Sequence, residues 1–216
     1  MNHPAELAIN QYLEDATSGK SSMSEETIKQ IGTDVMDAMR RQFGGGNKRD
    51  EFRLRMSNIG KPTCQLWFAK NKPETALPKP TTFVMNMLLG DIVEAAFKGI
   101  IKEAGVPYED KDNFITLELG GETIKGSYDL VMDGALDDVK SASDWSYRNK
   151  FASYDTLAKS DPFGYVGQLA GYTKATGKKV GGWWVVNKAN GNIKYVPADG
   201  LVLDDEIAKL EETVKT

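Results

Sequence analysis

The chain has 216 residues, 40% hydrophobic and 27% charged, the composition of an ordinary soluble globular protein with one sizeable core. A single histidine, His3, and a single cysteine, Cys64, exclude a Ser-His-Asp triad in the folded core, a Cys-His pair, a His- or Cys-rich zinc site and an iron-sulfur cluster held by this chain alone. The net charge of -4 hides an uneven distribution, because residues 40–72 carry nine basic and two acidic side chains, a stripe that suits nucleic acid or, equally, a solvated lysine-rich loop.

In chain order, residues 4–16 and 24–43 read as helices. Ser24 opens the second, with Glu26 in its first turn, and Gly44-Gly45-Gly46 stops it. Residues 1–46 are expected to form a helical appendage, with His3 at a frayed end, and residues 47–216 the main domain. The N-terminus lacks the basic start and apolar segment of a secretory signal, and no stretch is apolar enough to span a membrane, so a cytoplasmic protein without a membrane partner is expected. The segment 47–80 is basic and proline-rich, with a short helix expected in RMSNIGKPTCQLWF. Apolar residues at 85, 88, 89, 92, 93, 96, 97 and 100 form a helical stripe ended by Gly105 and Pro107.

Strand patterns follow: FITLEL (114–119), then ETIKGSYDLVM as one strand, an Asp133-Gly134 turn, and ALDDVKS. Asp161-Pro162 predicts a helix N-terminus, with the helix running to about Gly177. Strands GGWWVVNK and NIKYVP flank an Ala189-Asn190-Gly191 turn, and a helix over 203–214 closes the chain. The fold class is α/β: helix, three-stranded antiparallel meander, helix, further strands.

A two-residue turn at Asp133-Gly134 pairs Met132 with Ala135 and so places Asp129 opposite Asp138, with Lys140 projecting to the same face. Two opposed carboxylates repel, and a divalent cation relieves that repulsion. Oxygen ligands of this kind suit Mg²⁺, with Mn²⁺ able to substitute, and a lysine beside the metal can hold or deprotonate the attacking water. A bulge would shift the register and move Asp138 to the other face.

Asp129, eight residues, then Asp138-Val139-Lys140 resembles the signature of the PD-(D/E)XK nuclease superfamily, although Tyr128 stands where the family name has proline. The predicted element order matches that superfamily's restriction-endonuclease-like core. Gly90-x-x-x-Glu94 and Gln168-x-x-x-Tyr172 are similar to motifs of its RecB-like and lambda-exonuclease-like branches, as is the segment Ser57 to Lys61 with Cys64 and Leu66-Trp67-Phe68. Taken alone, Glu94 reads as a surface acid paired with Lys98 at i,i+4.

The resemblance, which spans about residues 53–196, implies an Mg²⁺-dependent DNA exonuclease of recombination, repair or phage DNA metabolism, in the host cytoplasm if phage-encoded. Asp129, Asp138, Glu94 and the Val139 carbonyl would hold metal, Lys140 would orient and activate water, and Gln168 would position the lysine and the phosphate. Arg53, Arg55, Ser57, Lys61, Ser141, Trp145, Arg148 and Tyr172 are the candidate DNA contacts, and Cys64 is expected as a small buried residue. A structure-selective endonuclease of the junction-resolvase type, or a non-catalytic DNA-binding protein on the same fold, remains open. No residue decides whether the chain forms a homo-oligomer or works with a single-strand-annealing or binding partner.

Overall fold

The computed structural model describes residues 3–44 and 52–215. The glycines expected to stop the second helix at 45 and 46, and basic residues 48 and 49, lie outside them. The described helices are α1 (Pro4–Thr17), α2 (Glu25–Phe43), α3 (Thr63–Asn71), α4 (Phe83–Glu103), α5 (Asp144–Asn149), α6 (Tyr154–Lys159), α7 (Tyr165–Thr176) and α8 (Leu203–Lys215). The strands are β1 (Phe114–Leu119), β2 (Glu122–Ser127), β3 (Leu130–Met132), β4 (Ala135–Ala142), β5 (Lys179–Asn187) and β6 (Ile193–Pro197). The fold is α/β, and among the described residues no helix is long and apolar enough to cross a membrane.

The expected three-stranded meander is divided. β1 and β2 form a two-stranded sheet, and the second sheet runs β3-β4-β5-β6. ETIKGSYDLVM is therefore two strands, broken at Tyr128-Asp129. Asn113 fastens the break: its side-chain amide donates to the Tyr128 carbonyl (2.6 Å), and its own carbonyl accepts from Tyr128 N–H (3.2 Å). The β3-β4 register is the expected one, with Met132 opposite Ala135 and Leu130 opposite Asp137. Asp133 (φ 51) and Gly134 (φ 74) both take positive φ, as a type I′ turn requires.

The bulge lies on the other side of β4. Parallel pairing with β5 slips by one residue between Leu136 and Asp138, where β5 carries Gly181-Gly182. A Cβ on Gly181 would fall onto the Asp137 carboxylate and the Leu136 carbonyl, so glycine lets the bulged backbone close around that side chain.

The β3-β6 sheet separates two apolar clusters. Leu136, Trp183, Val185, Leu169, Tyr172 and Leu210 belong to the one that α7 and α8 complete. Leu130, Val139, Trp184, Phe97, Ile101 and Ile9 belong to the other, under α4 and α1. α1 thus contributes to the second cluster, and α2 packs on α4. Ile9 is buried among these residues, Glu6 accepts from Tyr195 N–H (2.7 Å), and α2 lies along α4 with Ile31 packed on Gly99. His3 is held too, capping α1 through Ala5 N–H (3.2 Å) and contacting the rings of Trp184 and Tyr195. Cys64 is exposed on α3, against the expectation of a buried residue, because the α3 position turned inward is Leu66.

Candidate active site

β4 is an inner strand, and its alternation sends Asp138 and Lys140 to the α7 side and Asp137 to the α1/α4 side. Asp129 lies one residue before β3, where the chain is free of the ladder. Its Oδ2 accepts the Val139 N–H at 2.7 Å. Lys140 Nζ lies 2.6 Å from Asp138 Oδ2 and donates to Gln168 Oε1 at 3.3 Å. It also sits 4.8 Å from the centre of the Tyr165 ring. Gln168 therefore reaches the lysine from α7.

Glu94 and Lys98 approach from α4. Lys98 Nζ donates to Glu94 Oε1 at 2.8 Å and lies 4.0 Å from Asp110 Oδ2. The i,i+4 pair expected of a surface acid is present, yet Lys98 is only 14% exposed and interacts with Asp129 as well. A Cβ on Gly90 would find Ser141 Oγ at 3.8 Å as its nearest neighbour, so the position one turn before Glu94 faces the end of β4 at ordinary van der Waals distance.

The electrostatics follow from burying several charges together. Burial, then the Asp138 and Glu94 carboxylates, push Asp129 well above the usual carboxylate range. Burial also raises Asp138, with Lys140 pulling the other way. Burial would lower Lys140, but Asp138 and Asp129 outweigh it and hold the amine as an ammonium; Lys98 is raised in the same manner by Glu94, Asp129 and Asp110. Tyr172, pushed up by burial and by both aspartates, stays a neutral phenol. It is 4% exposed, so its hydroxyl belongs to the buried side of the site and not to an open DNA-facing surface.

Among the described residues, no group of three or more His, Cys, Asp or Glu side chains stands ready to hold a metal ion. The acids are instead engaged separately, by Lys140, by Lys98 and by the Val139 amide. The donor chemistry nevertheless fits a hard divalent cation. Asp129, Asp138 and Glu94 offer only carboxylate oxygens, and Asp138 Oδ2 is buried with an ion-pair partner but no aligned hydrogen bond.

The candidate DNA contacts occupy two places. Arg53, Arg55 and Ser57 are exposed on the segment before α3, where Asn58 accepts from Arg55 N–H (2.8 Å) and donates to the Arg53 carbonyl (3.0 Å). Lys61 follows with its backbone against Gly164 at the head of α7. Ser141 is half-buried at the end of β4, and Trp145 is 63% exposed on α5. Arg148 is exposed but pairs with Asp144 at 2.9 Å.

Two features escaped the sequence. Asp137 is buried on the far face of β4 and accepts from Gly182 N–H (2.9 Å), Tyr195 O–H (2.8 Å) and Trp184 Nε1–H (3.1 Å). Burial pushes it up to about 6 in spite of those three donors. A cleft of about 900 Å³ between α2, α4 and residues 105–113 reaches Glu94 and Lys98 and is rimmed by Asp34, Asp91 and Asp110. An acidic signal is present in the sequence at these positions, but only the packing of α2 on α4 brings them together.

No family model matches the chain, and no curated protein matches it. Among solved structures it is similar to the crystal structure of SSO0001, at 12% identity and a TM-score of 0.47, over 85% of this chain and 84% of that one. The functional reading therefore rests on the residues themselves.

Proposed function

We propose that the chain is a metal-dependent deoxyribonuclease of the PD-(D/E)XK type that hydrolyses phosphodiester bonds from DNA ends. The observation that carries the reading is the cluster of Asp129, Asp138, Lys140 and Gln168, with Glu94 within electrostatic reach of both aspartates. Burying opposed carboxylates beside a lysine costs stability, and such clusters mark sites of chemistry more often than sites of structure.

Asp129, Asp138 and Glu94 would hold Mg²⁺ or Mn²⁺, with the Val139 carbonyl as a further oxygen donor. The bound ion supplies Lewis-acid polarisation of the phosphate and acidifies water. Lys140, as an ammonium, holds a water by hydrogen bonding and offsets charge developing on the phosphate oxygens. Gln168 Oε1 keeps the lysine aimed, since its hydrogen bond fixes one of the three ammonium protons. The buried Tyr172 phenol and Tyr165 ring limit water on the α7 side. Arg53, Arg55, Ser57 and Lys61 line the approach to that helix and offer phosphate contacts, as do Ser141, Trp145 and Arg148 beyond the end of β4.

The test is cleavage of end-labelled linear duplex, with 5′ phosphate or 5′ hydroxyl, beside covalently closed circles. Mg²⁺-dependent shortening of the linear DNA alone is expected. Lys140→Ala should abolish it and leave DNA binding intact. Unchanged cleavage by the variant defeats the mechanism, and efficient cutting of closed circles turns the reading into an endonuclease.

A further inference from the structure

Phe163 stands in the turn between α6 and α7 and is 53% exposed. A single exposed ring needs no explanation by itself. Its neighbours give it one. The Phe163 ring stacks on Tyr165, with centroids 5.5 Å apart and planes inclined by 18°. Tyr165 stacks in turn on the buried Phe151, at 5.9 Å and 25°. Lys150 Nζ lies 4.8 Å from the Phe163 centroid, and Lys140 Nζ the same distance from that of Tyr165. A column of rings rooted in the core thus passes beside the site lysine and ends in the half-exposed Phe163 ring, over which the Lys150 ammonium lies.

The turn that presents Phe163 is held at both ends. Asp161 Oδ2 accepts from Val166 N–H at 2.8 Å, and the Asp161 carbonyl accepts from Gly164 N–H at 3.2 Å. Gly164 takes φ 75, with its backbone pressed on Gly60 and Lys61. A ring fixed in this way has little freedom left to lose when a flat ligand settles on it.

We propose that Phe163 is a stacking platform for an unpaired nucleobase, so that the strand entering the site is single-stranded or a frayed duplex end, with the Lys150 ammonium leaving the ring for the adjoining phosphate as the base settles. The proposal rests on the nuclease reading and specifies its substrate. A base offers its face to a protein ring only when it has left the duplex stack, and such stacking accepts any base. The Lys150 ammonium at the outer ring favours a polyanionic strand over an aromatic peptide.

The experiment uses the full chain in EDTA with oligonucleotides bearing a terminal 2-aminopurine, either single-stranded or as an overhang on a duplex. Binding to the wild type should quench the fluorophore. Phe163→Ala should lose the quench and bind about ten-fold more weakly, and Phe163→Trp should restore both. With an abasic terminal nucleotide, wild type and Phe163→Ala should bind alike. With Mg²⁺ added, Phe163→Ala should raise KM for overhang ends by the same factor and leave kcat unchanged. Equal binding and quenching by wild type and Phe163→Ala overturns the proposal, as does an equal loss on the abasic end, which would make the ring merely structural. A wild type that quenches but cleaves no linear DNA overturns the nuclease reading and leaves the stacking platform standing.

Discussion

Gly60 and Gly167 meet with no side chain between them: a Cβ on Gly167 would lie 2.6 Å from Gly60 Cα and 2.9 Å from Leu210 Cδ2. This contact fastens the segment carrying Arg55, Ser57 and Lys61 to the helix carrying Gln168 and Tyr172. Gly167→Ala is therefore expected to destabilise the protein by about 2 kcal/mol, because backbone cannot yield as a flexible side chain can. Gly32 in α2, with nothing within 4 Å of an added Cβ, makes the control. There the same substitution should stabilise by about 1 kcal/mol through helix propensity. Urea unfolding of the two variants should move in opposite directions; a shared direction refutes the packing argument.

Asp129→Asn should separate stability from activity. The Asp129 carboxyl is raised by burial and by its acidic neighbours, so its ionised form weakens the folded state at neutral pH. An amide oxygen can still accept the Val139 N–H. In EDTA the variant should be more stable by about 1 kcal/mol and should cleave no DNA. Mg²⁺ should raise the melting temperature of the wild type and leave that of the variant unmoved. A melting temperature insensitive to Mg²⁺ in both would contradict the assignment of Asp129 to the metal.

Asp137→Ala should act on the fold rather than on the chemistry. It leaves the Gly182 amide, the Tyr195 hydroxyl and the Trp184 indole without their acceptor in a buried place. A loss of about 3 kcal/mol is expected, read by chemical denaturation together with the near-ultraviolet signal of Trp184. A loss below about 1 kcal/mol would mean that other acceptors take over these donors.

Glu103 supplies the pH dependence. Ser24 Oγ donates to Glu103 Oε1 at 2.6 Å, Thr27 Oγ1 donates to the same oxygen, and Ser24 N–H donates to Oε2 at 3.2 Å. These bonds hold the carboxyl below its ordinary value of 4.5. Its contribution is complete above that value and disappears as pH falls through the depressed one. Glu103→Gln should thus lower the melting temperature at about pH 7 and make less difference at a pH below the depressed value, where the wild-type acid takes up its proton. An equal effect at both values would show that the linkage is not electrostatic.

The sequence revealed local geometry better than long-range geometry. Asp133-Gly134 announced a two-residue turn, and the turn fixed the β3-β4 register. The break at Tyr128-Asp129 was hidden because its cause is Asn113, distant in the chain, together with the turning of Asp129 back to Val139. Asp161-Pro162 marked the head of α7, yet the helix begins four residues later, at Tyr165, because Gly164 is left-handed; the Asp161 carboxylate still caps it. α5 and α6, six residues each, are too short for helical periodicity to register. Asp137 and Asp138 are indistinguishable as neighbours in a string. Only the alternation of β4, and partners at 182, 184 and 195, assign one to structure and the other to the candidate site.

β4 pairs with antiparallel β3 over residues 135–137 and with parallel β5 along residues 138–142, and its two faces are covered by α7 and α4. The amide protons of Asp138 and Lys140 should accordingly be among the slowest to exchange with solvent, opening only when the whole sheet opens. The turn carrying Phe163 has no strand beside it and should exchange orders of magnitude faster. The reactive groups are thus confined to the part of the molecule that breathes least, while the ring that would greet a DNA end stands outside the sheet and is held by the capping bonds of its own turn.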